Sequence, residues 1–413
     1  MSSLQKILLA LVGLQVIKVD NLIFKLVCIG IILSIFAQYG EVYKLLTNEL
    51  GSQTTLHTPV VVKLSKDLIF TLIICTSMSL IYARGYLYYT QIVLILCFFT
   101  PLIISLSISI LHNDLIYLLA GLRWSYPILL GILLIGQVSK KNLSGLTNIL
   151  GIVFILSFSV QIIQVLKSSH WYGTSFLGIS KRNPGLFLIP NTKAFFTLCT
   201  MFFFLFFKKK SIFKTLVLFL IPISIFITAS GAGIATYLII LSMYGVGLVF
   251  NLRIPVSIIG LQSVFISLFT IFLLPIVINR PNLVTTSGWE RVKKFTHHFD
   301  SSFFSSKFGT GSNSAVLLEN FLSLEKKAQI VDSTLGSILA NLGWVGIVLL
   351  GIGMTIWISR IIFIRRNLEI ITFTCLFLLF SLTTIITEAY PMNLLFSLLS
   401  GHYIGQYFKV KKI

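Results

Sequence analysis

Apolar runs of about twenty residues recur along nearly the whole of this 413-residue chain, separated by short polar breaks, and this pattern limits its folds more than any other feature. A hydrocarbon core of roughly 30 Å is crossed by about 20 apolar residues in a helix, and its backbone must satisfy its own hydrogen bonds. Read with that ruler, spans fall near 22–39, 67–84, 88–110, 115–136, 143–166, 186–207, 212–229, 231–250, 256–278, 335–358, 368–386 and 392–408. The expected fold class is therefore all-α: a polytopic membrane protein with about twelve transmembrane helices, forming one integral membrane domain over residues 1–413. Composition agrees, with 56% hydrophobic residues, 11% charged ones and a mean hydropathy of +0.96, which excludes an ordinary soluble domain. Gln15 and Lys18 interrupt the first apolar stretch and no small-x-small cleavage site follows. Residues 1–20 are open to three readings, a thirteenth helix, an N-terminal extension of the first span or an interfacial helix, with parity favouring the interface, and a removable signal peptide is not expected.

The charge balance is lopsided, with 32 Lys and Arg against 12 Asp and Glu, a formal net charge of +20 and a pI of about 9.8. Such a balance raises the question of nucleic acid, but the basic residues sit in short clusters between the spans, and the bilayer explains them better. Arg84, Lys140–Lys141, Lys208–Lys210 with Lys214, Arg253, Arg360 with Arg365 and Arg366, and Lys409 with Lys411 and Lys412 occupy alternate loops. Those loops are expected to face the cytoplasm, with both termini inside. Left outside are 40–66, 112–114, 167–185, the Ser230–Gly231 turn, 279–334 and the turn at 388–391. No repeat is visible, unlike the paired halves common in secondary transporters. The five cysteines lie inside apolar runs without a C-x-x-C spacing, and are expected to be small buried hydrophobes.

The outer loops break the charge rule that the inner loops follow. Segment 167–193 carries Lys167, His170, Lys181, Arg182 and Lys193 with no acidic residue, and the large loop 279–334 carries Arg280, Arg291, Lys293, Lys294, Lys307, Lys326 and Lys327 against Glu290, Asp300, Glu319, Glu325 and Asp332. Cations on that side are disfavoured by insertion, so their concentration points to an anionic ligand, with a lipid-linked phosphate the natural identity. Arg suits it by its bidentate fork and Lys by its compact charge. Solvated loop charge is the plainer alternative.

Three strings stand out. KRNPGLFLIPNTKAFF at 181–196 brings the chain into the membrane through an irregular segment, tolerated only where protein or a wet cavity satisfies its backbone, and an opening is expected there. ITASGAGIATY at 227–237 has almost no loop between two helices, and reads as a small-residue packing turn. SGWERVKKF at 287–295 and KFGTGSN at 307–313 lead to DSTLGSILANLGWVGIVLL at 332–350. There Gly309 and Gly311 would let the backbone approach a ligand, while Asp332–Ser333 would cap a helix. Arg123, inside a span, is a costly charge unless it snorkels.

The order of these strings resembles the O-antigen polymerase and ligase superfamily. The resemblance rests on R-x-P-G-x-F-x-x-P-N at Arg182–Asn191, the Ser230–Gly231 turn, an Arg and a G-x-G in a late outer loop, and N-L-G-W-V-G-I at 341–347. It covers roughly the second half; the first half agrees only in hydropathy. The resemblance implies a GT-C-like membrane glycosyltransferase of the bacterial inner membrane, facing the periplasm or the outside, with an undecaprenyl-diphosphate-linked glycan as substrate and neither metal nor cofactor. Its partners would be membrane lipids and a chain-length regulator protein, with no nucleic acid. Glycosyl transfer expels a diphosphate, so positive groups and a base are wanted. Arg291, Glu290 and Asp332 are the catalytic candidates; Arg182, Lys181, Arg280, Lys193 and Arg123 are those for donor binding. The ligase branch carries a catalytic His just before the late helix, where this chain has Asp332–Ser333, with His297 and His298 much earlier. That departure favours a Wzy-type repeat-unit polymerase over the ligase, which would move glycan to lipid A-core. A lipid-linked oligosaccharide flippase is the alternative of another class; it would line its central helices with cations.

Overall fold

The computed structural model describes residues 22–35, 60–111, 115–166, 182–187, 189–249, 303–312, 314–315, 333–364 and 368–407. These form α1 (Leu22–Ile35), α2 (Val60–Arg84), α3 (Tyr89–Ile110), α4 (Leu115–Leu133), α5 (Lys140–Leu166) and α6 (Pro190–Phe206). They continue as α7 (Ile212–Thr228), α8 (Gly231–Val249), α9 (Thr334–Leu342), α10 (Trp344–Ile364), α11 (Leu368–Ser381) and α12 (Met392–Tyr407). No strand occurs among the described residues. Four stretches, Leu64–Arg84, Tyr89–Ile110, Leu115–Leu133 and Lys140–Leu166, are long and apolar enough to cross a bilayer, and several shorter helices are equally apolar. The protein is all-helical and suited to a membrane. The expected span 256–278 lies outside the described residues.

Local chemistry sets the helix boundaries. The Ser211, Ser230 and Ser333 hydroxyls accept from the backbone N–H of Lys214, Gly233 and Gly336, and so cap α7, α8 and α9. Pro190 opens α6, where its missing N–H costs nothing. Gln91 caps twice: its Oε1 accepts from Tyr88 N–H, and its Nε2 donates to the Ile132 and Leu133 carbonyls at the end of α4.

α6 is the hub. Every residue from Lys193 to Phe204 is buried, as expected of a helix apolar all round. α5, α7, α8 and α11 pack around it, and Phe195 stacks on Phe380 with ring centres 4.4 Å apart. A second group, α2, α3, α4, α9 and α10, adjoins through α12, which touches both α4 and α6. The α4–α12 approach is close because Gly401 faces the Leu134 side chain and Gly405 faces Gly136.

Four expectations about elements need correction. The stretch 335–358 is not one span, because Gly343, at φ +75°, ends α9 and a new helix starts at Trp344. The break docks on protein: Val345 N–H donates to the Phe303 carbonyl, and a Cβ at Gly343 would lie 2.6 Å from that oxygen. The helix expected over 368–386 stops at Ser381, and the following chain is irregular yet buried at Ile385, Ile386, Thr387 and Ala389. Thr334 holds it there, its hydroxyl donating to the Thr384 carbonyl and accepting from Ile386 N–H. Residues 60–66, assigned to a loop, are the first turns of α2. Of the cysteines, all free, only Cys199 is buried, while Cys75 and Cys97 lie on outer helix surfaces, where an apolar solvent costs a thiol nothing.

Candidate functional site

Charged residues from distant parts of the chain meet beside α2 and α4. Asp67 lies near the start of α2 and Arg123 in the middle of α4; Arg123 Nε donates to Asp67 Oδ1 at 2.8 Å. Arg123 Nη1 reaches the Ser314 hydroxyl at 3.4 Å, in the turn that follows the 303–312 segment. Ser314 donates both its hydroxyl and its backbone N–H to Oε1 of Glu388, at 3.0 and 3.2 Å. The result is a continuous polar line, Asp67–Arg123–Ser314–Glu388, drawn from two helices and two loops.

A hollow of about 60 Å³ lies along that line, space for a few waters or a small polar group. Lys66, Tyr126, Tyr390 and Asn393 also line it. Lys66 Nζ stands 5.1 Å from the centre of the Tyr390 ring, a cation–π arrangement. Tyr390 donates its hydroxyl to the Gly30 carbonyl of α1, and burial pushes that phenol's pKa up. Asn393 Nδ2 donates to the Thr387 carbonyl at 3.1 Å, fixing the irregular turn against α12. Arg123 makes no hydrogen bond through Nη2 among the described residues. The hollow thus presents a guanidinium edge, an ammonium and two carboxylates, enough to hold an anionic oxygen and to accept a proton. No three His, Cys, Asp or Glu side chains converge to hold a metal among the described residues.

The 303–312 segment, which precedes Ser314 in the chain, is fixed by close backbone packing. Gly309, at φ +91°, lies against the Tyr117 carbonyl of α4, where a Cβ would sit 1.7 Å from the oxygen. Gly309 N–H donates to Asn341 Oδ1 at 2.8 Å, and Phe308 N–H to the Ser109 hydroxyl at 2.9 Å. The G-x-G turn expected to approach a ligand instead lets α4 and α9 approach the loop, with Gly311 against Ala340.

The segment Asn183–Phe187 is irregular as expected, but the opening expected there is filled by protein. Gln161 Nε2 donates to the Asn183 carbonyl and the Thr228 hydroxyl, both at 2.8 Å. Gln164 pairs with the N–H and carbonyl of Gly185, and the Ser157 hydroxyl accepts from Leu186 N–H. The turn at Ser230–Gly231 is the packing turn expected: Ala229 takes φ +48°, and a Cβ on Gly233 would lie 2.5 Å from the Ala194 Cβ.

Of the sequence candidates, Arg291, Glu290, Asp332, Lys181 and Arg280 lie outside the described residues. Arg123 lines this hollow, whereas Arg182 and Lys193 are not among its lining residues. Lys193 is wholly buried in α6, its Nζ 4.9 Å from the Phe154 ring centre and 5.8 Å from that of Phe187, with no hydrogen-bond partner among the described residues. Sequence reading missed Lys66, Asp67, Ser314 and Glu388. The available signal was acidic: only 12 Asp and Glu occur in 413 residues, and Asp67 stands at the start of the apolar run Leu68–Ile69–Phe70. A scan against protein-family models, a search of curated proteins and a search of solved structures each found no match.

Proposed function

We propose that the chain is a membrane glycosyltransferase that polymerises undecaprenyl-diphosphate-linked oligosaccharide repeat units, of an O-antigen or a capsule, at the outer face of a bacterial cytoplasmic membrane. The observation that carries this reading is the charged hollow between α2, α4, Ser314 and the turn that holds Thr387, Glu388 and Tyr390. Its position supports the orientation. Lys66 and Asp67 stand near the start of α2 and Arg84 at its end, about 25 Å away along the axis. Arg84 belongs with the basic clusters at Lys140–Lys141 and Lys208–Lys210, which the excess of cations in short cytoplasmic loops puts inside. The hollow then faces outward, in a GT-C-like body of about twelve spans that includes 256–278.

Arg123 and Lys66 supply positive charge where a diphosphate leaves, and a carboxylate takes the proton of the attacking hydroxyl. Ser314, which lines the hollow, belongs to the same loop, 279–334, that carries Arg280, Glu290 and Arg291. The Arg123–Asp67 pair on facing helices also suits a transporter, which keeps the flippase alternative in play.

The test is a deletion strain carrying Arg123→Ala, Arg291→Ala or Arg182→Ala, with its surface glycan run on a gel. A lost polymerase leaves single repeat units attached, a lost ligase leaves none, and a lost flippase accumulates carrier-linked repeats inside. Single repeats with Arg123→Ala are expected; long chains in the deletion strain itself overturn the proposal.

A further inference from the structure

We infer that Glu388, in the turn before the last helix, is the group that accepts the proton of the attacking sugar hydroxyl, and that Ser314 is its positioning residue. The inference rests on the polymerase reading and deepens it. Three observations carry it. First, Glu388 lines a hollow where carboxylates and cations face the same space. Second, its orientation is fixed from outside its own turn: Ser314 holds Oε1 with two donors, the backbone N–H at 3.2 Å and the hydroxyl at 3.0 Å. Third, the hydroxyl that donates to Glu388 is within 3.4 Å of Arg123 Nη1, so the carboxylate and the guanidinium are held in one frame.

The other carboxylate of the hollow is less suited. Asp67 receives Arg123 Nε at 2.8 Å, and proton uptake there would weaken the pair that orients the cation. Glu388 Oε1 accepts from Ser314, a neutral donor, at 3.0 and 3.2 Å. In the step itself, the acceptor hydroxyl gives its proton to Glu388 as its oxygen bonds the anomeric carbon. The bond from that carbon to the diphosphate oxygen breaks, and its electron pair leaves with the diphosphate beside Arg123 and Lys66. The proton returns to water from Glu388 before the next turnover.

The test uses the full chain in native membranes, supplied with polyprenyl-diphosphate-linked repeat units from the cells that make them. Glu388→Gln is expected to lower the polymerisation rate by about 100-fold or more, with binding of the lipid-linked donor within about threefold of wild type. Glu388→Asp should keep part of the rate and shift the acid limb of its pH profile. Ser314→Ala should lower the rate and move the same limb, which a merely structural contact would not do. Glu388→Gln with a wild-type rate and pH profile overturns the inference and leaves the polymerase reading standing. Wild-type membranes that bind the donor and never lengthen it overturn both. Should Glu388→Gln fail to fold, the pH profile of Glu388→Asp decides: an unmoved acid limb overturns the inference.

Discussion

Arg123 and Asp67 meet at 2.8 Å across α2 and α4, in a body where charged side chains are scarce. Their side chains are 38% and 32% exposed, so the pair faces the hollow and its own contribution to stability is small, roughly 0.2–1 kcal/mol. Its value lies in aiming the guanidinium, since Nε and Nη1 are taken by Asp67 and Ser314. Asp67→Asn should therefore destabilise by at most about 1 kcal/mol while lowering polymerisation about 10- to 100-fold through misplacement of Arg123. Thermal melting in detergent and the membrane assay read the two effects. A loss beyond about 3 kcal/mol with unimpaired rate per folded molecule would make the pair structural only.

Gly309 tests the packing of the 303–312 segment against α4. At φ +91° and with the Tyr117 carbonyl where a Cβ would be placed, Gly309→Ala combines backbone strain with a clash. The expected cost is about 3 kcal/mol or more. Size-exclusion profiles should show aggregated or missing protein; a monodisperse variant with wild-type melting would contradict this packing.

Gln161 tests the plug at Asn183–Phe187. Gln161→Leu removes the donor to the Asn183 carbonyl and the acceptor of the Ser224 hydroxyl, both buried. The expected cost is about 1–3 kcal/mol. A cysteine placed at Asn183 should become more reactive to a membrane-impermeant thiol reagent in the Gln161→Leu background than in a wild-type one. Equal labelling would argue that the segment is held by other contacts.

Lys193 separates two views of one residue. As a donor-binding group it should be needed for activity; as a wholly buried amine between Phe154 and Phe187 it should be replaceable by an apolar side chain of similar length. Lys193→Met is expected to melt at or above wild type, since no hydrogen-bonded partner is orphaned and a desolvated amine is removed. Activity is expected to persist. Loss of polymerisation in a stable Lys193→Met protein would restore the residue to the donor site.

Hydropathy gave the helices their places because a bilayer demands long apolar runs, and α3, α4 and α5 fall within a few residues of their expected bounds. It could not see Gly343 or the end of α11 at Ser381. Both breaks lie in stretches as apolar as a helix, and what replaces the lost helical bonds comes from far along the chain: Phe303 for Val345, Thr334 for Ile386. Periodicity reports which solvent a segment prefers and is silent on which distant group will satisfy its backbone.

The same division holds for the site. By itself the sequence determined an all-helical membrane body, the cap at Ser333, the small-residue turn at Ser230–Gly231 and the suspicion attached to Arg123, each of which follows from local chemistry or from the cost of charge in hydrocarbon. Only the tertiary structure decided that Arg123 is aimed by Asp67, 56 positions away, and tied through Ser314 to Glu388, 265 positions away. Partner choice among a few charged groups depends on how helices and loops stack, and no local pattern encodes that distance.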